Sequence, residues 1–141
     1  MHAFEVQKQI AASPEAIWAV LTDARQLVSG GFGIMRLDGD IRPAAKLKLW
    51  SKVAPQRGFA LKVTELVPHR QMTWSGGMPL GLFRGVRTFS LTPSGTGTLF
   101  VMREVYSGLL EGLIWPSMPD LNPSFETFAN ALAARTERPA P

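Results

Sequence analysis

The sequence predicts an α+β domain in which a curved antiparallel sheet wraps one long C-terminal helix. Residues 59–106 are almost all strand-like, in the runs FALKVTELVP, QMTWSGG, LFRGVRTFSLTP and TGTLFVMREVY. The stretch from Pro123 to Arg135 reads as one amphipathic helix, because Leu121, Phe125, Phe128 and Leu132 recur at helical spacing. The turns between strands are short, which implies antiparallel neighbours. At 141 residues the whole chain is expected to be a single domain with a substantial core, its tail frayed from about residue 136.

The elements follow in order. Phe4, Val6 and Ile10 fall on one face of an opening strand that ends near Ala12. Lys8 shares that face, where its stem can lie on the core and its ammonium reach water. Ser13-Pro14-Glu15 then starts a helix. Ser13 is a good N-cap, Pro14 suits the first helical position, and Glu15 favours the positive end of the helix dipole. Ile17, Trp18 and Leu21 form its apolar stripe, and it should stop near Thr22. A second short helix is expected from Asp23 to the pair Gly30-Gly31.

Strands are predicted at 34–37 and 45–53, separated by the turn Asp38-Gly39-Asp40. Residues 55–58 should turn the chain into a strand over 59–67. Pro68-His69-Arg70 turns it again into a strand over 71–75. Residues 76–81 form a loop of unusual apolar content. Phe83 to Thr92 and Thr98 to Tyr106 read as a hairpin joined by residues 93–97. Residues 109–115 have the pattern of a helical turn or two, interrupted by Pro116 and Pro119. Asn122-Pro123 repeats the cap-plus-proline start before the last helix.

Composition narrows the function. The chain is 45% hydrophobic and 18% charged, which is globular rather than disordered. No apolar run approaches the length of a membrane span, so no stable membrane insertion is expected. The opening residues alternate and carry charge, as a strand does and a secretory signal does not. With no cysteine there are no disulfides or thiolates, and a cytoplasmic location is expected. The formal net charge is +4, yet Lys46, Lys48 and Lys52 alternate with Leu47, Leu49 and Val53 like one wet face of a strand. No dense basic run suggests a nucleic-acid partner. His2 and His69 lie apart from any cluster, so neither a metal site nor a Ser-His-acid triad is expected. Gly30-Gly31-Phe32-Gly33 falls short of a phosphate-cradling motif and leads into a strand rather than out of one. No cofactor is expected.

The opening SPEAIWAVLTD, the two-strand stretch VTELVPHRQMTW, the hairpin GVRTFSLTPSGTGTLFVMREVYSGLL and the ending FANALAARTE occur in this order over nearly the whole chain. In that combination the sequence resembles the START-like (SRPBCC) superfamily, which includes polyketide cyclases/dehydrases and lipid transporters. The resemblance implies a helix-grip fold: a seven-stranded antiparallel sheet gripping the last helix, with a ligand cavity between them. It is specific for the fold and not for the function.

Strand alternation gives the residues expected to face such a cavity. They are Phe59, Leu61 and Val63; Met72 and Trp74; Phe83, Arg87 and Phe89; Phe100, Met102 and Glu104; and Leu121, Phe125 and Phe128. The same aromatics would equally serve as plain core. With the hairpin loop centred near Gly95, Phe89 would oppose Phe100 and Arg87 would oppose Met102. Arg87 and Glu104 would then be diagonal neighbours. In this register both would point inward among apolar groups, as ligand anchors or as a structural ion pair; an outward register would instead turn both to water. Arg87, Glu104 and Tyr106 are the candidate catalytic residues. Trp74, Met78, Leu80, Leu82 and Phe83 flank the glycine-rich loop and suggest an entrance. Two functions fit these residues: binding a small hydrophobic molecule such as a lipid, polyketide or aromatic, or a cyclase/dehydratase-type reaction on such a molecule. A weaker third is docking of a partner on the Met78–Phe83 loop.

Overall fold

The computed structural model describes residues 2–137. The tail beyond Glu137, expected to fray, lies outside the described residues. Strand β1 spans His2–Ile10, followed by helices α1 (Pro14–Leu21) and α2 (Ala24–Ser29). Strands β2 (Ile34–Asp38), β3 (Lys46–Ser51), β4 (Ala54–Val67), β5 (Gln71–Gly77), β6 (Arg84–Ser94) and β7 (Gly97–Ser107) follow. The short helix α3 (Glu111–Ile114) runs into a 3-10 turn, Trp115–Ser117, before α4 (Asn122–Thr136). Among the described residues, seven strands form one antiparallel sheet in the order β1-β7-β6-β5-β4-β3-β2. This is the α+β helix-grip architecture that the sequence implied.

The caps form as their chemistry requires. The Ser13 hydroxyl accepts from the Ala16 N–H, and Pro14 opens the helix. Asp23 caps α2 by accepting from the Arg25 N–H and the Gln26 side-chain amide. The amide bond from Gln26 is the main cause holding the Asp23 carboxyl below its usual value. The start of α4 differs from expectation. Asn122 is already helical and Leu121 holds the cap position without a side-chain bond. The Asn122 N–H goes instead to the Asp120 carboxylate.

Two turns are tighter than the sequence suggested. β3 and β4 meet at Lys52-Val53, so residues 55–58 belong to the strand rather than to a turn. Pro55 is tolerated because the β3 ladder jumps from Ser51↔Ala54 to Leu49↔Phe59 and the β5 ladder starts only at Leu61, so residues 55–58 lie in an irregularity without a ladder partner. Likewise Ser94 pairs with Gly97, leaving a two-residue turn with Gly95 at φ +61°. Pro93 is accepted because the β5 ladder stops at Ser90, so this end of β6 pairs with β7 on one side only. The shorter turn shifts the register by two residues. Phe89 opposes Met102 and Arg87 opposes Glu104 directly, correcting the expected Phe89–Phe100 and Arg87–Met102 pairs.

Helix α4 lies across one face of the sheet, packing on β1 and α1. Phe128 is its central contact, with ring centroids 4.9 Å from Phe32, 5.9 Å from Phe89 and 6.2 Å from Phe100. Trp74 and Phe89 meet edge to face at 4.9 Å. A register shift in β4 between Val63 and Glu65 adds the local twist that helps the sheet curve around the helix.

Candidate functional site

Sheet register brings side chains from distant parts of the chain into transverse rows on the face that α4 covers. One row is Val63, Trp74, Arg87, Glu104 and Phe4, on five neighbouring strands. The next is Leu61, Gly76, Gly85, Tyr106 and His2. Gly76 and Gly85 leave a gap in this second row. Tyr106 leans into it: a Cβ on Gly85 would lie 3.2 Å from Tyr106 Cε1 and 3.7 Å from Glu104 Cδ.

The polar cluster sits where the rows meet. Arg87 Nε donates to Glu104 Oε1 at 3.0 Å, and the Tyr106 hydroxyl donates to Glu104 Oε2. Both carboxylate oxygens are therefore engaged. Arg87 is held only through Nε; its two terminal nitrogens make no hydrogen bond among the described residues. The Arg87 guanidinium lies 4.9 Å from the Phe125 ring centroid. The Arg87 and Glu104 side chains retain 21% and 17% of their exposure, so solvent reaches the pair. Burial, with the Glu104 carboxylate beside it, pushes the Tyr106 hydroxyl far above the ordinary tyrosine range, so it stays a neutral donor. Trp74, in the Arg87 row, is fully buried, and its Nε1–H finds no partner among the described residues.

The apolar candidates divide by depth. Val63, Met72, Trp74, Phe89, Phe100, Met102, Phe125 and Phe128 are buried and belong to one continuous core. Leu61, Phe83 and Leu121 are partly buried at its margin. Phe59 shares the face of Val63 but is exposed, because that end of β4 overhangs its neighbour, and Arg57 stacks over its ring. At the expected entrance, Met78 and Leu80 are exposed, while Leu82 and Phe83 are half-buried. Trp74 is instead interior. Two open depressions of about 360 Å³ each are present, and neither lies among the inner rings. One borders α2 and β2; the other borders β3, β4 and the Met78–Pro79 loop.

Residues 1–137 match the family described as polyketide cyclase/dehydrase and lipid transport. The chain belongs to this family. No curated protein matches the chain. Solved structures share the fold of this polyketide cyclase/dehydrase and lipid transport domain at low identity. Protein MLL2253 from Mesorhizobium loti is 18% identical with a TM-score of 0.73, covering 95% of this chain and 96% of its own. The Aha1 dimer from Colwellia psychrerythraea is 20% identical at TM-score 0.73, covering 97% of both chains. Truncated norcoclaurine synthase from Thalictrum flavum is 16% identical at TM-score 0.69, covering 94% of this chain and 91% of its own.

Two features of this family member escaped sequence reasoning. His2 is not isolated. It stacks on Trp115 at 4.3 Å, and its Nδ1 pairs with Glu111 Oε2. Trp115 in turn packs 5.2 Å from Phe4 and 5.7 Å from Tyr106. Alternation carried no signal for that contact, because it joins residues 109 apart in sequence. The glycine gap was more accessible. Gly76 and Gly85 are both covered-face positions on adjacent strands, visible once those strands are paired.

Proposed function

We propose that the domain binds a small, mainly hydrophobic molecule bearing a carbonyl or carboxylate oxygen, held by Arg87 at the Tyr106 end of the covered sheet face. The observation that carries this reading is the state of Arg87. It is fixed in place through Nε, desolvated on one side by Phe125, and left with unused donors that solvent can reach. The orphan Trp74 N–H in the same row supports it, since a buried donor without a partner is costly and a ligand oxygen would satisfy it. Membership of the family supports a hydrophobic ligand. The apolar part would lie against Leu61, Phe83 and Leu121, which are partly exposed. Reaching deeper, around Phe89, Phe100 and Phe128, would require those rings to move. The cytoplasmic location belongs to this proposal and rests on the cysteine-free sequence.

Glu104 bears on the cyclase/dehydratase alternative. A general base needs a free oxygen within reach of the substrate, and both of its oxygens are engaged by Arg87 and Tyr106. Binding is therefore the better-supported function. Native mass spectrometry of protein purified from its own host tests it. A co-purifying small molecule is expected on the wild-type chain and should be lost from Arg87→Gln. The same adduct retained by the variant would remove Arg87 as the anchor.

A further inference from the structure

The loop between β5 and β6 and the segment entering α3 run side by side. The Leu110 N–H donates to the Leu82 carbonyl at 2.7 Å, and the Leu109 N–H to the Gly81 carbonyl at 3.4 Å. Gly108 permits this approach, since a Cβ there would meet the Leu82 carbonyl oxygen at 2.6 Å. Together the two segments project the most exposed leucines of the described chain: Leu80 at 92%, Leu109 at 85% and Leu113 at 77%, with Met78 beside them. Leu80 is held there with φ +62°, in the left-handed region that a leucine ordinarily avoids. Nothing among the described residues covers these side chains.

The charge beside them says what does. Met78 and Pro79 line the same open depression as Lys46, Lys62 and Arg84. Lys46 and Lys62 are direct cross-strand partners, an arrangement that costs stability unless an anion neutralises it. Among the described residues neither lysine is salt-bridged, and the Arg84 side chain makes its one hydrogen bond to the Ser75 hydroxyl rather than to a carboxylate. Leucines on separate loop tips do not make the broad packed patch of a protein interface. They suit insertion between lipid chains, with cations at the level of the headgroups.

We propose that this end of the domain docks on the surface of an anionic lipid bilayer, with Leu80, Leu109 and Leu113 entering the interface and Lys46, Lys62 and Arg84 facing the headgroups. The docking is peripheral and does not depend on what, if anything, Arg87 binds. The test is co-sedimentation of the full chain with vesicles of phosphatidylcholine alone and of equal parts phosphatidylcholine and phosphatidylglycerol. Binding to the anionic vesicles is expected, weakening as salt is raised. Leu80→Glu and Leu113→Glu should each weaken it by roughly tenfold or more, with an unchanged melting temperature. Lys46→Gln and Lys62→Gln should each cost about fivefold. No binding to either vesicle, or binding unaffected by the leucine variants, overturns the proposal. So does sedimentation without lipid that shows a dimer dissolved by Leu80→Glu, since that assigns the surface to a second copy of the chain.

Discussion

At the scale of single residues, Glu104 is the pivot. Its carboxylate is largely desolvated and tolerated there because Arg87 and Tyr106 each supply a donor. Removing one partner leaves a charge short of compensation. Arg87→Ala is therefore expected to lower stability by about 1–3 kcal/mol in urea unfolding. Adding Glu104→Gln to that variant should recover part of the loss, because the stranded charge is gone. A Glu104→Gln change that costs as much stability in the Arg87→Ala background as in the wild type would show that the pair is not energetically coupled. The inward position of Arg87 and Glu104 was legible from alternation alone. Their direct opposition was not. Pro93, Ser94 and Thr96 have the composition of a loop, yet Pro93 and Ser94 continue the ladder to Thr98 and Gly97. Residue type reports where a chain can turn, and strand pairing decides where it does.

At the scale of elements, two contacts help hold the helices against the sheet. Phe128 carries α4, wedged among Phe32, Phe89 and Phe100. Phe128→Ala should cost about 3–5 kcal/mol by the same unfolding measurement. A negligible loss with altered ligand affinity would make the ring pocket wall rather than core. The start of β1 is fastened to α3 by His2 and Glu111. The hydrogen bond from His2 is the leading cause that holds the Glu111 carboxyl below its usual value of 4.5. With the folded value below the unfolded one, the unfolded chain binds more protons between the two. This contribution to stability is full above pH 4.5 and is lost as pH falls through the folded value. Urea midpoints of wild type and Glu111→Gln, compared from neutral to acid pH, should converge as the medium is acidified. Parallel curves would mean that the Glu111 carboxylate does not stabilise the fold.

At the scale of the whole molecule, the order and number of elements followed from periodicity, caps and turn residues, and the family resemblance supplied the joining of the strands into one sheet and its grip on α4. What periodicity cannot weigh is how far large side chains fill the space they face. Phe89, Phe100, Met102 and Trp74 point toward the helix, and there they pack on one another and on Phe128. The polar row at the Tyr106 end is where donors and solvent meet, and the central claim concerns Arg87 in that row. Its most direct test is a nuclear magnetic resonance titration of the full chain with anilinonaphthalene sulfonate, an apolar aromatic anion, following the Arg87 guanidinium and Trp74 indole N–H signals. The account predicts saturable shifts of both signals, and roughly tenfold or more weaker binding by Arg87→Gln. Saturable binding that leaves those signals unmoved, or an Arg87→Gln variant of wild-type affinity, would contradict it.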